Sequence, residues 1–280
     1  GGWTVYPPLS ALGDAMDVVR ADDMMIEQYG EKYNVFPATK VKFAVNKNLA
    51  LKNNAVSLKD SSKIVSEITI DVKDNTIYKN KLVIYDCLDG FQWDRPLYFT
   101  SQASASDMGL ENYLRYDAFA FKFVPVKSDN SGLPYLDTDI MYNNLMNVYK
   151  WRGMGEKGVY MCHFHERTTR VIGLRQMFNS LAFELINENK IDSAKQVLNK
   201  LCQIMPDWQF PYNDETIIST AYAYYMAKDF EAGNRELRIL AFNMIDEIEW
   251  FNSLKAKQPK YGDQVERERI DYTRMVIQIY

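Results

Sequence analysis

The sequence has few of the residues that most catalytic and metal sites need. Its 3 cysteines, Cys87, Cys162 and Cys202, lie far apart with no C-x-x-C pair, so neither a disulfide framework nor a zinc ribbon is indicated. The only 2 histidines, His163 and His165, lie in one short segment, to which any histidine-dependent triad or zinc centre would be confined. Glycine-rich phosphate-binding loops are absent as well. Composition alone therefore names no reaction.

The charge balance and the apolar runs exclude two further classes of protein. The 280 residues include 33 Lys+Arg and 37 Asp+Glu, a net charge of -4, whereas a nucleic-acid-binding chain normally carries a basic excess. No run approaches the roughly 18 consecutive apolar residues of a membrane-spanning helix, and residues 1–8 lack a signal-peptide pattern. With 47% hydrophobic residues the chain can bury a core. We therefore expect a folded, soluble segment with no nucleic-acid partner.

Residues 1–130 mix strand and helix patterns. Apolar residues alternate with polar or small ones at 41–45 and 68–72, which predicts two strands. Pro96 is expected at the entry of a short buried strand, and residues 118–126, with three phenylalanines on one face, predict an aromatic core strand. Helical spacing predicts helices over residues 9–19, 78–88 and 110–115. The mixture indicates an α+β or α/β domain over residues 1–130.

Strand patterns almost vanish after residue 130. Residues 131–170 are expected to form a helix, over 138–149, and a glycine-rich connector. Ala194 and Ala232 occupy equivalent places in two helical hairpins, which resemble tetratricopeptide repeats. We therefore predict an all-α, tetratricopeptide-like domain over residues 171–280. Its helices are predicted over residues 174–185, 191–205, 216–227 and 230–245, with turns at 189–190 and 228–229 and a charged capping helix over 263–279.

One short segment concentrates the metal-capable side chains. If this segment were a strand, His163 and His165 would lie on the same face and could coordinate one metal ion. A bend in the backbone would then allow Glu166 or Cys162 to act as a further ligand. No third ligand at a recognisable spacing accompanies them, and a loop with Glu166 near the N-terminus of the following helix is the alternative. We therefore name no cofactor and keep His163, His165 and Glu166 only as metal-ligand candidates.

Aromatic side chains supply the candidate ligand-binding residues. Trp93, Arg95 and Tyr98 lie close together in the sequence, and arginine beside aromatic rings suits anionic or sugar groups. The alternative is that both rings belong to the core or its rim and that Arg95 pairs with a nearby aspartate. Tyr222 and Tyr225, at helical spacing, suit either repeat packing or a carbohydrate groove.

Three blocks of the sequence together resemble the pattern of one known family. They are the string at 79–86 with Trp93-Asp94-Arg95-Pro96-Leu97-Tyr98-Phe99, the run Gly109-Leu110-Glu111-Asn112-Tyr113-Leu114, and the run at 120–126. These blocks resemble the soluble C-terminal part of a family of multi-pass bacterial membrane proteins that carries the label of a domain of unknown function. That family is related to the transmembrane protein O-mannosyltransferases of animals.

The resemblance implies an extracytoplasmic, periplasmic region of a glycosyltransferase-like protein of the bacterial inner membrane. In such proteins an N-terminal bundle of membrane helices carries the catalytic carboxylate and uses a lipid-linked sugar, so the parent chain would be membrane-embedded through a part preceding Gly1. The segment in hand would be non-catalytic and would bind a protein or peptide acceptor, or a glycan.

Two other functions stay open. A metal-dependent hydrolase could use the cluster of His163, His165 and Glu166, and metal analysis of the purified protein would identify it. A structural module could instead hold a membrane complex together, in which case affinity capture from native membranes would recover fixed partners and no glycan acceptor.

Overall fold

The computed structural model of the chain describes residues 4–6, 25–28, 31–35, 40–72, 77–89, 91–128, 134–160 and 171–257, with six further positions between 266 and 274. The chain divides into two compact units, Gly1–Asp137 and Thr138–Tyr280. The helix predicted over residues 9–19 lies outside the described residues. The capping helix predicted over 263–279 lies mostly outside them, although the positions described there are helical.

The first unit contains three small sheets. The strands β1 (Thr4–Tyr6), β2 (Met25–Gln28), β3 (Glu31–Val35) and β6 (Ile77–Tyr78) form one sheet in the order β2-β3-β1-β6, in which only β1 and β3 are parallel. The strands β4 (Lys40–Ala44) and β5 (Glu67–Asp71) form an antiparallel pair. In the third sheet, β9 (Phe121–Phe123) is central between β7 (Tyr98–Phe99) and β8 (Leu114–Tyr116), and both pairings are antiparallel.

Short helices connect these strands over one hydrophobic core. The core takes the inward residues of the β4–β5 pair, where Val41 lies opposite Ile70 and Phe43 opposite Ile68, all four buried. The helices are α1 (Lys47–Lys52), α2 (Lys79–Leu88) and α3 (Gln102–Ser106), with 3-10 turns at Leu58–Lys63 and Glu111–Tyr113. The strands predicted at 41–45 and 68–72 and the helix predicted over 78–88 are thereby confirmed.

Two sequence predictions in this unit are wrong in part. The helix predicted over residues 110–115 is a 3-10 turn that leads directly into β8, because Leu114 and Tyr116 pair with Phe123 and Phe121 in the sheet. The aromatic strand predicted over 118–126 is confined to Phe121–Phe123. The chain reverses before it, where Ala118 has φ 79° and the Asp117 N–H donates to Ala120 O, and this turn leaves Phe119 55% exposed.

Residues 171–257 of the second unit form helices joined by turns and one longer loop, with no strand in that described range. Its first helix, α4 (Thr138–Asn143), continues as a π-helical turn, Asn144–Val148. Asn189 and Lys228, with φ 61° and 59°, make the left-handed turns that close two helical hairpins. The hairpins consist of α5 (Val171–Asn187) with α6 (Ile191–Ile204) and α7 (Thr216–Met226) with α8 (Phe230–Lys257), and α5 also packs against α7.

The apolar stripes predicted for these helices are the buried ones. Phe178, Leu181 and Ala182 of α5 and Val197 and Leu198 of α6 are fully buried, as expected for residues recurring at i, i+3 and i+4. Within the described ranges, the helices are too short or too polar to span a membrane. An α+β unit followed by an all-helical unit therefore agrees with the predicted fold class.

Candidate functional site

Trp93 lies in the core of the first unit. Its side chain is only 5% exposed, its ring stacks on Phe123 with 5.2 Å between ring centroids, and the edge of Phe91 meets it at 4.9 Å. Its backbone φ is 60°, which is uncommon for a bulky residue. The buried indole N–H has no hydrogen-bond partner among the described residues. The ring therefore faces other core aromatics rather than solvent.

Arg95 and Tyr98, the other two predicted platform residues, are exposed. Tyr98 lies opposite Lys122 on β9, and its hydroxyl donates to Asp117 Oδ2 at 3.4 Å. Burial, followed by the Asp117 carboxylate, raises the pKa of Tyr98. No described contact joins Arg95 to the other two side chains.

The same row of the sheet holds a buried ion pair. Arg115 lies on β8, opposite Lys122 of β9. Its Nε and Nη2 donate to the two carboxylate oxygens of Asp117 at 2.6 and 2.9 Å, and its Nη1 donates to Ala55 O at 3.2 Å. Burial and the neighbouring Arg115 lower the pKa of Lys122. Because the carboxylate of Asp117 neutralises the charge of Arg115, this buried pair stabilises the fold and leaves no free charge for a ligand.

The predicted tyrosines lie on α7 and are not equivalent. Tyr222 is 57% exposed beside Phe183, with 6.1 Å between the ring centroids. Tyr225 instead donates its hydroxyl to Asn234 Oδ1 at 2.7 Å and covers Gly233, where a Cβ would lie 2.7 Å from the ring. Tyr225 therefore joins α7 to α8, whereas Tyr222 remains accessible.

The candidate metal cluster of His163, His165 and Glu166 lies outside the described residues, so it stays a prediction. Among the side chains that the structure describes, no group of three or more His, Cys, Asp or Glu could hold a metal ion.

An open groove of about 540 Å³ lies in the helical unit, between the loop after α6 and the second half of α8. Trp208 and Trp250 border it and are 54% and 55% exposed, which is unusual for the largest apolar side chain. Its α8 wall has residues at i, i+3, i+4 and i+7 and therefore forms one helix face. The lining residues are Asp207, Trp208, Pro211, Tyr212 and Asn213 from the loop and Asn243, Asp246, Glu247 and Trp250 from α8.

Hydrogen bonds hold the two walls of the groove together. Asp207 Oδ1 accepts from the Tyr212 backbone N–H at 2.8 Å and from Asn243 Nδ2 at 2.6 Å. Asn243 Nδ2 also donates to Tyr212 O at 3.1 Å. One α8 side chain thus fixes both ends of the Asp207–Tyr212 segment, and Phe210 anchors the segment between them in the core.

The same segment is fixed on its other side by Gln209. Its Oε1 accepts from the Gly155 N–H at 2.6 Å, and its Nε2 donates to Gly153 O at 2.9 Å and to Val159 O at 3.1 Å. Gly155 has φ 74°, and a Cβ there would lie 2.3 Å from Gln203 O, so this close approach requires glycine. The glycine-rich connector therefore packs directly behind the Trp208 wall.

Tyr212 forms the buried floor of the groove. Its ring lies 5.0 Å from the guanidinium carbon of Arg175, which is 1% exposed, pairs with Asp214 and donates to Phe210 O at 2.7 Å. Burial raises the pKa of Tyr212, and the nearby Cys202 and Glu236 raise it further, so its ring is a neutral phenol. A stacked cation and a neutral ring give the groove a rigid base.

The groove carries charge of one sign. Among its nine lining residues are the carboxylates of Asp207, Asp246 and Glu247 and no lysine, arginine or histidine. Asp246 and Glu247 make no ion pair in the described part of the chain. Exposed indole faces next to unpaired carboxylates can bind a ligand, but these residues include no thiol, hydroxyl nucleophile with a base, or imidazole for covalent chemistry.

Residues 8–141 match the family described as "TMEM260-associated domain 2". That description associates the matched region with a membrane protein. The match takes in Trp93, Arg95 and Tyr98 and ends within α4. No curated protein and no solved structure matches the chain.

The groove lies beyond the TMEM260-associated domain 2 match, and the sequence pattern does not single out its two tryptophans. The helix predicted to end at residue 245 continues to Lys257. Ile248, Phe251 and Leu254 extend its apolar row at helical spacing, but they are only half-buried, and most other described residues after Met244 are exposed. A signal was nevertheless present. Asn243, Asp246, Glu247 and Trp250 recur at helical spacing, so one helix face carries polar groups and an indole where a core face would be apolar.

Proposed function

We propose that this chain is the extracytoplasmic, acceptor-binding region of a glycosyltransferase-like membrane protein, and that it binds a polypeptide without catalysing a reaction itself. The match to TMEM260-associated domain 2 supports the connection to a membrane protein. The resemblance of the Trp93–Phe99 block to the bacterial relatives of the protein O-mannosyltransferases supports the glycosyltransferase-like assignment, the periplasmic side and an acceptor or glycan as the partner.

The observation that carries the proposal is the groove of Trp208 and Trp250. Two half-exposed indoles around one open cavity are the kind of anchors that dominate protein and peptide interfaces. The walls are already fixed by Asn243, so binding need not order them, and that lowers the entropic cost of association.

The helical unit supports the same role if its hairpins are tetratricopeptide-like repeats, as we propose. Ala194 of the first hairpin and Ala232 of the second are both buried. Repeats of this type stack into extended binding faces. A binding face tethered to a membrane-bound transferase would raise the local concentration of the acceptor near the active site.

Titration of the chain with peptides from candidate acceptors, followed by tryptophan fluorescence, tests the proposal. We expect saturable binding that Trp208→Ala and Trp250→Ala each weaken about tenfold, as loss of an interface anchor does. Phe242→Ala is the matched control, because Phe242 is a large exposed residue of the same helix that does not line the groove. No binding at about millimolar peptide, the weakest affinity of practical interest, would contradict the proposal.

Two further measurements separate the alternatives. Recovery from native membranes of fixed partners alone, with no acceptor, would favour the assembly module. A stoichiometric transition metal that is lost on replacing both His163 and His165 would favour the hydrolase.

A further inference from the structure

We infer that the groove of Trp208 and Trp250 recognises a positively charged side chain, lysine or arginine, within an extended segment of the bound polypeptide. This inference rests on the proposed function, since it names the chemistry of the peptide that the groove would take. Three independent observations on the described residues carry it: the sign of the charge, the exposed indole faces and the side-chain amide of Asn213 in the loop.

Charge complementarity gives the first argument. Asp207, Asp246 and Glu247 line the groove without a cationic side chain among the nine lining residues. Asp246 and Glu247 have no ion-pair partner in the described ranges, in contrast to Asp214 nearby, which is paired with Arg175. An opening lined by one sign of charge between low-dielectric walls concentrates ligands of the opposite sign. An acidic segment would be repelled for the same reason.

The aromatic rings give the second argument. Indole is the aromatic side chain that attracts cations most strongly, and the attraction increases when the cation is partly desolvated. Trp208 and Trp250 both border the cavity and both keep about half of their surface exposed. Tyr212 already holds a guanidinium beneath the groove, at 5.0 Å from its ring, so cation recognition by an aromatic ring is present in the same unit.

The loop supplies the third argument, which concerns the backbone of the ligand. The Asn213 amide lines the groove and makes no hydrogen bond within the described part of the chain. An amide offers both donors and an acceptor, and an extended peptide exposes both kinds of group along its backbone. A neutral glycan could also stack on indole and donate hydroxyl groups to the carboxylates, but it would gain no charge attraction from them, whereas a cationic side chain gains both the hydrogen bonds and the attraction.

Binding of matched probes to the purified chain tests the inference. The probes are a short glycine-serine peptide with two arginines, the same peptide with glutamine or glutamate in place of arginine, and the neutral oligosaccharide cellopentaose. We expect the arginine peptide to bind about tenfold more tightly than the glutamine peptide, the glutamate peptide to bind least, and the preference to shrink as salt is raised.

Isosteric variants locate the effect. Asp246→Asn with Glu247→Gln should remove most of the arginine preference while leaving the far-ultraviolet circular dichroism unchanged, because Asp246 is exposed and Glu247 half-buried. Glu249→Gln, an exposed acid of the same helix outside the groove, should leave the preference intact.

The outcomes distinguish the inference from the proposed function. Equal affinity for the arginine and glutamine peptides would overturn the cationic inference and leave peptide binding standing. Binding of cellopentaose with no binding of any peptide would overturn both. An arginine preference that survives the Asp246→Asn and Glu247→Gln changes would overturn the assignment to this groove.

Discussion

The guanidinium of Arg175 lies over the ring of Tyr212, with 5.0 Å between the guanidinium carbon and the ring centroid. The same group pairs with Asp214 and donates to the carbonyl of Phe210, so one buried cation stabilises three positions of the loop between α6 and α7. The opposite surface of that loop forms the groove wall. The shape of the groove therefore depends on a buried charge that lies beneath its floor.

Replacement of Arg175 by methionine should destabilise the helical unit by about 3 kcal/mol, because it removes the counter-charge of Asp214 and the donor to Phe210 O. The methionine fills similar space, so packing loss is small. Denaturant unfolding followed by circular dichroism measures the effect. Arg238→Met, at an exposed position of α8, is the control and should change the free energy of unfolding by no more than about 0.5 kcal/mol. Equal effects of the two changes would contradict the structural role of Arg175.

Loss of the Asn243 side-chain amide should lower both the stability of the fold and the affinity for the peptide. Asn243→Ala removes the hydrogen bonds to Asp207 and to Tyr212 O, at a cost of about 1 kcal/mol in the free energy of unfolding. We expect peptide affinity to fall several-fold as well, because the Trp208 wall loses its connection to α8. Asn252→Ala, an exposed asparagine on the same helix, should alter neither quantity. Denaturant unfolding of both variants measures the free energy of unfolding, and calorimetric titration with the peptide measures the affinity.

Gly109 should not tolerate a side chain. It has φ 71°, and a Cβ there would lie 2.4 Å from Ile70 Cγ2, in the core of the first unit. Gly109→Ala should therefore destabilise that unit by about 1–3 kcal/mol through backbone strain and overpacking. Gly173 lies within α5 with open space around it, so Gly173→Ala should stabilise the helical unit by about 0.5–1 kcal/mol. Thermal unfolding of the two variants should give shifts of opposite sign.

Asp60 should make the first unit sensitive to acid. Burial by itself would raise the pKa of this carboxyl group, but hydrogen bonds from Lys63 and Tyr135 outweigh it and lower the pKa from its ordinary value. A carboxyl group with a lower pKa in the folded state contributes stability above its unfolded pKa, about 3.9, and loses that contribution as the pH falls through its folded pKa.

The difference in unfolding free energy between the wild type and Asp60→Asn should therefore be largest near neutral pH and shrink below about pH 4. Denaturant unfolding at several pH values measures that difference. A difference that stays constant across this range would show that the carboxyl group has the same pKa in both states. Asp107→Asn, at an exposed position, is the matched control.

The sequence predicts well those elements whose buried residues recur at a regular spacing, every second residue in a strand or every third to fourth residue in a helix. In β4 and β5 every second residue is buried, and in α6 the buried residues recur at helical spacing, so the pattern alone indicates each element. The region around Leu114 misleads because Leu110, Tyr113 and Leu114 have helical spacing, although Leu114 and Tyr116 also alternate as in a strand. There the pairing with Phe123, which lies farther along the chain, decides the outcome.

The groove could not be predicted in the same way. Its walls are separated by 30 or more positions in the sequence, from Asn213 to Asn243, and they meet only because the second hairpin folds back beside the loop at Asp207. The spacing of residues within α8 identifies its polar face, but it does not show which other segment of the chain lies opposite that face. Conversely, the closeness of Trp93 and Tyr98 in the sequence does not bring their side chains to one surface, since Trp93 turns into the core with φ 60°.

Trp208 and Gln209 are adjacent, yet one borders the groove and the other binds the backbone around Gly155. A ligand pressed against the indole would therefore restrain the amide behind it. Hydrogen–deuterium exchange at Gly155 should slow when the groove is filled, so the glycine-rich stretch would report occupancy without contacting the ligand. Gln209→Ala should abolish that protection while the indole remains in place.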